Sequence, residues 1–246
     1  MQRPSNTTIL DVVVPVFNEE RRLTPCIETL HAFLQRQFPP GSWRIIIAEN
    51  GSTDRTPRVA DALTARYPGV CVLRRPQPGR GAALTHAWQQ SEAALIAYMD
   101  VDLSTDLDAL PRLVARLQNG CDVAVGSRLI PGAVIIRSPM REIVSRIYNR
   151  MVRGLFRVPL TDAQCGFKAM RRAAIAPLLP HIRASRWFFD TELLLLAHRR
   201  GLRVQEVPVR WVEHPDSRVN LSSTILQMAW GLLRLRCRVG TNGSRP

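Results

Sequence analysis

Five short apolar runs alternate with segments of helical periodicity in the first half of this chain of 246 residues. Apolar runs of about four to eight residues bounded by turn residues are typical of buried strands. They predict strands over residues 9–16, 42–48, 70–73, 96–102 and 122–126, with helices between them that end near residues 37, 67, 90 and 118. Strands and helices that alternate through short loops indicate an α/β fold, a mostly parallel sheet with helices on both faces. We expect residues 1–246 to form a single domain.

Acidic and amide groups stand where the first, second and fourth predicted strands end: Glu19, then Glu49 and Asn50, then Asp100 and Asp102. In an open parallel sheet these ends share one edge, which is where ligands bind. The set fits a nucleotide, because carboxylate and amide groups hydrogen-bond the base and the ribose, while an Asp-x-Asp pair holds a divalent cation that grips a diphosphate. An isolated Asp-x-Asp is more often a turn or a helix cap, so the ordered trio carries the prediction.

The chain carries a formal net charge of +14 at pH 7, and Lys168 is the only lysine among its 34 basic residues. This excess indicates an anionic partner, either nucleic acid, a phosphorylated substrate or an anionic membrane surface. Residues 138–157 and 222–238 each place apolar side chains on one helical face with arginines at its flanks. Such basic amphipathic helices lie in membrane interfaces, although a helix packed on a sheet has a similar pattern. We expect contact with a membrane surface, and no nucleic-acid partner because no recognition module is present.

The location of the protein is predicted from its polar start and its cysteines. Residues 1–8 are polar and no run of about 18 apolar residues occurs, so we expect neither a signal peptide nor a transmembrane segment. Five scattered cysteines without metal-like spacing are typical of a reducing compartment. We expect a cytoplasmic protein, peripheral at the cytoplasmic face of a membrane.

Six motifs occur in order along the chain. They are Val-Val-Pro-Val-Phe-Asn-Glu at 13–19, Glu-Asn-Gly-Ser at 49–52, Gly-Arg-Gly at 79–81, Asp-Val-Asp at 100–102, Asp-Ala-Gln-Cys-Gly-Phe-Lys at 162–168 and Arg-Trp-Phe-Phe-Asp-Thr-Glu at 186–192. The first four resemble the inverting glycosyltransferase family 2, with its GT-A (Rossmann-like) fold. The last two are similar to motifs of dolichyl-phosphate β-glucosyltransferases within that family, which are related to polyprenyl-phosphate mannosyltransferases. The resemblance spans roughly residues 9–238.

The resemblance implies a metal-dependent, inverting hexosyltransferase that uses Mg²⁺ or Mn²⁺. It would move a hexose, with glucose favoured, from a nucleotide sugar, with UDP-glucose favoured, to a polyprenyl or dolichyl monophosphate. The nucleotide sugar is expected in a half formed by about residues 9–126, and the acceptor in a half formed by about residues 127–238. Residues 239–246 are expected to be a flexible tail.

The resemblance also implies roles for individual residues. The metal ligands are Asp100 and Asp102. The nucleotide sugar is expected to contact Pro15, Phe17, Glu19, Glu49, Asn50, Arg80, Asp100, Val101, Asp102 and Gln164. The acceptor phosphate is expected to contact Arg128, Arg141, Ser145 and Arg218. The catalytic residues are Asp190, Arg128 and Arg218, and Asp190 either orients the sugar or acts as a base.

Two positions leave alternatives open. The family's usual Asp-Asp-Gly-Ser is Glu49-Asn50-Gly-Ser here, and an amide at this place favours uracil over guanine only if Asn50 reaches the base. Lys168 is as readily explained by a surface position as by a role in its motif. The alternative functions are a GDP-mannose-dependent polyprenyl-phosphate mannosyltransferase, a family 2 transferase with a soluble acceptor, and a non-enzymatic basic protein that binds nucleic acid or membranes.

Overall fold

The computed structural model describes residues 9–213 and 221–240. The strands within these ranges are β1 (Leu10–Val16), β2 (Trp43–Asn50), β3 (Val70–Arg75), β4 (Leu95–Tyr98), β5 (Val123–Ser127), β6 (Val134–Ile136), β7 (Lys168–Arg171), β8 (Val204–Pro208) and β9 (Arg210–Val212). The helices are α1 (Leu23–Gln37), α2 (Thr56–Arg66), α3 (Arg80–Gln90), α4 (Ala109–Gln118), α5 (Pro139–Phe156), α6 (Arg172–Ile175), α7 (Phe189–Arg199) and α8 (Leu221–Gly240), with a 3₁₀ helix at Ala176–His181.

Seven of the strands form one sheet in the order β3-β2-β1-β4-β7-β5-β8. Strands β1 to β4 run parallel to one another, β7 is antiparallel to both β4 and β5, and β8 is parallel to β5. The predicted mostly parallel sheet is therefore confirmed. Strands β6 and β9 pair in parallel as a separate two-stranded sheet.

Helices cover both faces of the large sheet, as predicted. Successive side chains of a strand point to opposite faces, so Val12 and Val14 of β1 pack with α1, α2 and α4, whereas Val13 packs with α3, α5, α7 and α8. Both faces of β1 are thus buried, which explains why this strand is an almost continuous apolar run.

The fourth strand ends earlier than predicted, at Tyr98 instead of residue 102. The chain leaves the sheet because Asp102 turns it: the Asp102 carboxylate accepts a hydrogen bond of 3.0 Å from the Ser104 amide, and Leu103 has a φ of 54°. The first helix begins at Leu23 because Asn18, with a φ of 55°, adds a turn after β1. Both aspartates of the Asp-x-Asp pair therefore lie in a loop at the edge of the sheet.

Helices are present where residues 138–157 and 222–238 predict them, as α5 and α8. The inner face of α5 is half polar, with Ser145, Tyr148, Asn149 and Val152 buried. Its apolar stripe faces outward, and the exposed residues are Met140, Ile143, Ile147, Met151 and Leu155, with Met140 66% exposed. In α8, Trp230 and Leu233 are likewise exposed. Helix α8 includes residues 239 and 240, and residues 241–246, the rest of the predicted flexible tail, lie outside the described ranges.

None of the helices in the described ranges combines the length and the apolar character that crossing a bilayer requires.

Candidate active site

The ends of β1, β2 and β4 meet at one edge of the sheet, as the sequence predicts. Val16, the last residue of β1, is paired with Glu49 of β2, and Val13 is paired with Tyr98 at the end of β4. Pro15 is buried in β1, whereas the ring of Phe17 is 42% exposed just beyond it. An exposed aromatic ring at this edge is suited to stacking against a base.

Asn50 is held by backbone groups. Its Nδ2 donates to the Val16 carbonyl at 2.6 Å and its Oδ1 accepts from the Gly79 amide at 2.8 Å, and the side chain is buried. The amide therefore ties the end of β1 to the turn that begins α3, and the argument for uracil that depended on this amide loses its basis. Glu49 is also buried and accepts a hydrogen bond of 2.6 Å from the Ser52 amide.

Glu19 lies in the turn after β1, across from the start of α2. Its backbone amide donates to the Thr56 hydroxyl at 2.8 Å, and its carboxylate is 3.8 Å from Arg22. The carboxylate remains partly exposed at the same edge as Glu49.

Arg80 connects the Asp-x-Asp loop to α7. It donates to Asp100 Oδ1 from Nε at 3.0 Å and from Nη2 at 2.7 Å, and to Asp190 Oδ2 from Nη1 at 2.7 Å. Burial opposes its charge, but the two carboxylates outweigh burial and raise the pKa of Arg80 above its ordinary value. One guanidinium thus fixes both carboxylates, Asp100 at the edge of the sheet and Asp190 beneath it.

Lys168 lies below Asp190 and is fully buried, so a surface position for it is wrong. Its Nζ is 2.6 Å from Asp190 Oδ1, 2.8 Å from the Tyr98 hydroxyl and 2.6 Å from the Cys165 carbonyl, and Tyr98 also donates to Asp190. Burial lowers the pKa of Lys168 to about 7. Burial also raises the pKa of Asp190 to about 6, although Arg80 opposes this. The pair, Lys168 on β7 and Asp190 on α7, is tolerated in the interior because each charge has a partner.

Arg128, directly after β5, forms a two-pronged ion pair with Asp162. Nε and Nη2 donate to the two carboxylate oxygens at 2.7 and 2.9 Å, and both side chains are buried. Burial raises the pKa of Asp162, but Arg128 outweighs that effect and holds the pKa below its ordinary value. The Arg128 guanidinium also lies 5.6 Å from the centre of the Trp211 ring.

Arg141 and Ser145 lie one turn apart on α5. Arg141 is 2.5 Å from Glu213, which also accepts a hydrogen bond of 3.0 Å from the Ser138 amide. Ser145 is buried, and its carbonyl accepts from Asn149 at 3.0 Å. Arg218, the remaining residue predicted for the acceptor phosphate, lies outside the described ranges.

Gln164 lies between the Asp162 loop and α8. Its backbone amide donates to Asp162 at 3.1 Å, and its side-chain amide is 3.6 Å from the sulfur of Met228. Both contacts of Gln164 are therefore to residues of the half that is predicted to bind the acceptor.

The acidic loop and the arginines adjoin through β9. Val212 donates to the Ser104 carbonyl at 2.8 Å, and Asp106 donates to the Arg210 carbonyl at 3.0 Å. Thr105 forms a β-bridge with Trp211, whose ring is the one that Arg128 contacts. The negative loop that carries Asp102 therefore lies directly beside an arginine cluster formed by Arg128, Arg137 and Arg141.

Asp100 and Asp102 fit a divalent cation that is shared with a phosphate ligand. Arg80 occupies Oδ1 of Asp100 and the Ser104 amide occupies Oδ1 of Asp102, and neither Oδ2 accepts a hydrogen bond from the residues that the structure describes. No group of three or more His, Cys, Asp or Glu side chains suited to a metal occurs in those ranges. Two carboxylate oxygens completed by phosphate and water are an ordinary ligand set for Mg²⁺.

Sequence reasoning missed Tyr98, Asp162 and Trp211 as parts of this region. Tyr98 and Asp162 each contact a residue from a distant part of the chain. The sequence separation is 92 residues between Tyr98 and Asp190 and 34 residues between Arg128 and Asp162. For Trp211, the sequence signal that could have indicated a place in this region is its position in a Val-Pro-Val-Arg-Trp run.

Comparison with known proteins gives relatives over nearly the whole chain. The family model described as glycosyl transferase family 2 matches residues 11–179. Glycosyltransferase AglD of Haloferax volcanii is 38% identical over 239 residues, which are 95% of this chain and 38% of that protein. Dolichyl-phosphate beta-glucosyltransferase ALG5C of Trichomonas vaginalis is 33% identical over 234 residues, 91% of this chain and 69% of that protein. The chain thus spans well under half the length of AglD.

A solved structure of similar architecture is glucosyl-3-phosphoglycerate synthase from Mycobacterium tuberculosis in complex with Mn²⁺, uridine diphosphate and phosphoglyceric acid. It superposes with a TM-score of 0.70 at 19% identity, covering 94% of this chain and 78% of that one. A complex of the same enzyme with Mg²⁺ and uridine diphosphate gives a TM-score of 0.67 at 20% identity, with 94% and 79% covered. The likeness concerns the fold, and it confirms the predicted GT-A architecture.

Proposed function

Because this chain belongs to glycosyl transferase family 2, we propose that it transfers glucose from UDP-glucose to a polyprenyl or dolichyl monophosphate. The relatives named dolichyl-phosphate beta-glucosyltransferase support the sugar and the acceptor. The observation that carries the proposal is the direct junction, through the Thr105–Trp211 bridge, of a carboxylate loop with an arginine cluster. Such a junction suits a cation-bound nucleoside diphosphate beside an anionic acceptor.

The donor is assigned to the edge formed mainly by residues 9–126, and the acceptor mainly to residues 127–238. Phe17 and Glu49 border the nucleoside, and Glu19 lies at the same edge. Asp100 and Asp102 hold Mg²⁺ or Mn²⁺, which would neutralise the leaving diphosphate. The metal complexes of glucosyl-3-phosphoglycerate synthase, which shares this fold, are consistent with the assignment.

The reaction inverts the anomeric centre, because the acceptor oxygen attacks from the side opposite to the leaving nucleoside diphosphate. A phosphate monoester with a second pKa near 6 is largely dianionic at neutral pH, so its oxygen attacks without a strong general base. The arginines instead lower the repulsion between two anions. Asp190 is buried against Arg80 and Lys168, so we assign it the task of orienting Arg80 and not that of a base.

The acceptor would be reached from a membrane surface. The outward apolar stripe of α5 is flanked by Arg146, Arg150 and Arg153, which are exposed. An apolar stripe between arginines is the pattern of a helix that lies in the headgroup layer of an anionic membrane. We assign the protein to the cytoplasmic face, where anionic lipids and the reducing conditions typical of its scattered cysteines coincide.

The deciding experiment is a donor and acceptor screen. Purified protein is incubated with Mg²⁺ or Mn²⁺, with UDP-glucose or GDP-mannose, and with a polyprenyl phosphate in detergent or glycerol 3-phosphate, and the product is identified by mass spectrometry. Glucosyl lipid phosphate from UDP-glucose alone is the expected result. Product only from GDP-mannose, or only on glycerol 3-phosphate, would replace the proposed donor or acceptor. No product in any arm would overturn the proposal.

A further inference from the structure

Arg137 is a cation for which the residues that the structure describes provide no hydrogen-bonded anion. It follows β6 and precedes α5, and its Nε and Nη2 are buried without a hydrogen-bond partner in the part of the chain that the structure describes. Buried polar groups of a folded protein are nearly always bonded, and a charged donor left unbonded is costly. The Arg137 side chain is only partly buried, so it remains open to a partner that the described residues do not supply.

The surroundings of Arg137 do not supply the missing charge. Glu142, Asp162 and Glu213 are the carboxylates that act on it electrostatically. Each of them is already bonded to another arginine, Glu142 to Arg146, Asp162 to Arg128 and Glu213 to Arg141. Arg128 lies close enough to add repulsion, and burial together with that repulsion lowers the pKa of Arg137 to about 10.

The position of Arg137 links it to the proposed reaction. Its guanidinium lies 5.7 Å from the centre of the Trp211 ring, the same ring that Arg128 contacts at 5.6 Å. Trp211 is bridged to Thr105, three residues after Asp102. Arg137 therefore lies in the arginine cluster beside the loop proposed to hold the cation.

We infer that Arg137 binds the phosphate monoester of the acceptor and supplies the charge in this cluster that no carboxylate neutralises. Arg128 and Arg141 are each paired with a carboxylate of their own, which fixes the direction of their hydrogen-bond donors at the two sides of the site. Arg137 instead meets the dianion with a full positive charge and a planar fork suited to two phosphate oxygens. The inference rests on the proposed function for the identity of the acceptor, whereas the need of Arg137 for an anionic ligand rests on its geometry.

The test compares Arg137→Gln with two other variants. Arg137→Lys keeps the charge and loses the fork, and Arg116→Gln removes an exposed arginine from α4, which packs on the opposite face of the sheet. Affinity for a short-chain polyprenyl phosphate in detergent, for glycerol 3-phosphate and for UDP is measured by calorimetry. Thermal unfolding of each ligand-free variant is recorded alongside.

We expect Arg137→Gln to weaken binding of both phosphate monoesters about 10- to 100-fold, as the loss of charged hydrogen bonds does. Arg137→Lys should lie between it and the wild type, and Arg116→Gln should bind as the wild type does. UDP affinity should be unchanged in all of them. Ligand-free Arg137→Gln should unfold at the same temperature as the wild type or a higher one, because a buried unpaired donor is removed.

Three results would overturn the inference: unchanged monoester affinity in Arg137→Gln, an equal loss of UDP affinity, or a lower unfolding temperature that accounts for the weakened binding. The two proposals also fail separately. Weakened monoester binding in a protein that glycosylates no acceptor would sink the proposed function alone. Glucosyl transfer with an unchanged acceptor KM in Arg137→Gln would sink the inference alone.

Discussion

Lys168 and Asp190 form a buried ion pair in which Nζ lies 2.6 Å from Oδ1. Asp190 reaches Arg80 with its other oxygen, and Arg80 in turn grips Asp100. A chain of alternating charges therefore runs from the centre of the sheet to the carboxylate at its edge. The position of Asp100 therefore depends on a lysine that is itself fully buried.

Replacing Lys168 with Met should destabilise the protein by about 3–5 kcal/mol, because it leaves a buried carboxylate short of a partner. Tyr98→Phe removes one hydrogen bond to the same carboxylate and keeps the ion pair, so it should cost less, about 1–3 kcal/mol. Urea unfolding measures both. Equal urea midpoints for Lys168→Met and the wild type would show that the ion pair contributes nothing to the stability of the fold.

Asp162→Asn should cost about 3–5 kcal/mol at neutral pH, since Arg128 would be left buried and unpaired. The folded pKa of Asp162 lies below its ordinary value of 3.8. Its stabilising effect is therefore complete above that value and is lost as the pH falls through the folded pKa. The difference in unfolding free energy between wild type and Asp162→Asn should begin to decrease near pH 3.8 and should become smaller as the pH falls further. A difference that stays constant down to pH 2, on the acid side of that value, would contradict the pairing.

Asp102→Asn should reduce activity and Mn²⁺ affinity in the presence of UDP by about 100-fold or more, as changes at a metal site do. Chelation with EDTA should abolish wild-type turnover, and Mn²⁺ should restore it. Asp108→Asn is the matched control, because Asp108 is exposed a few residues further along the same loop. Full activity of Asp102→Asn in EDTA would exclude the cation site.

Gly166→Ala should cut kcat/KM by about 100-fold through a shift of Asp100 of the order of 1 Å. A Cβ at Gly166 would lie 2.0 Å from Asp100 Oδ2 and 2.7 Å from its Cγ, so the carboxylate must move. Gly154→Ala is the control, since a Cβ at this position meets nothing within 4 Å. The substitution also replaces a glycine inside a helix, which should stabilise α5 by about 0.5–1 kcal/mol. Steady-state kinetics and thermal unfolding of both variants separate the two effects.

Ile143→Asn combined with Ile147→Asn should weaken binding to vesicles of phosphatidylglycerol and phosphatidylcholine about 10-fold or more, given the transfer energy of two apolar side chains. Both residues are more than half exposed on α5, so the fold should tolerate the change. Ile9→Asn, at another exposed isoleucine, should not affect vesicle binding. Co-sedimentation measures all three, and identical binding would exclude α5 as the membrane face.

The sequence was sufficient for the parts of the fold that are apolar and local. The strand over residues 9–16 and the helix over 138–157 follow from periodicity, and the structure has both within one residue at each end. It was also sufficient for the edge at which Glu49 and Asp100 meet, because parallel strands share their carboxyl ends.

Contacts between distant segments could not be predicted from the sequence. β7 is four residues long and contains Lys168 and Arg171, so its pattern is not that of a buried strand until the partners of those charges are known. The role of Arg137 depends on the same kind of information. Its lack of a partner is visible only once Asp162 and Glu213 are seen bonded to other arginines.

The antiparallel strand β7 fills the space between β4 and β5, two strands that precede it in the chain by 40 residues or more. During synthesis, neither β4 nor β5 can pair with β7 until residue 171 has been made. A fragment that stops near residue 126 would carry the loops that contain Glu49 and Asp100 on a sheet with an open, apolar edge, which invites aggregation. The segments on either side of residue 126 therefore depend on each other in folding, because β7 joins the strands of the first segment into one sheet.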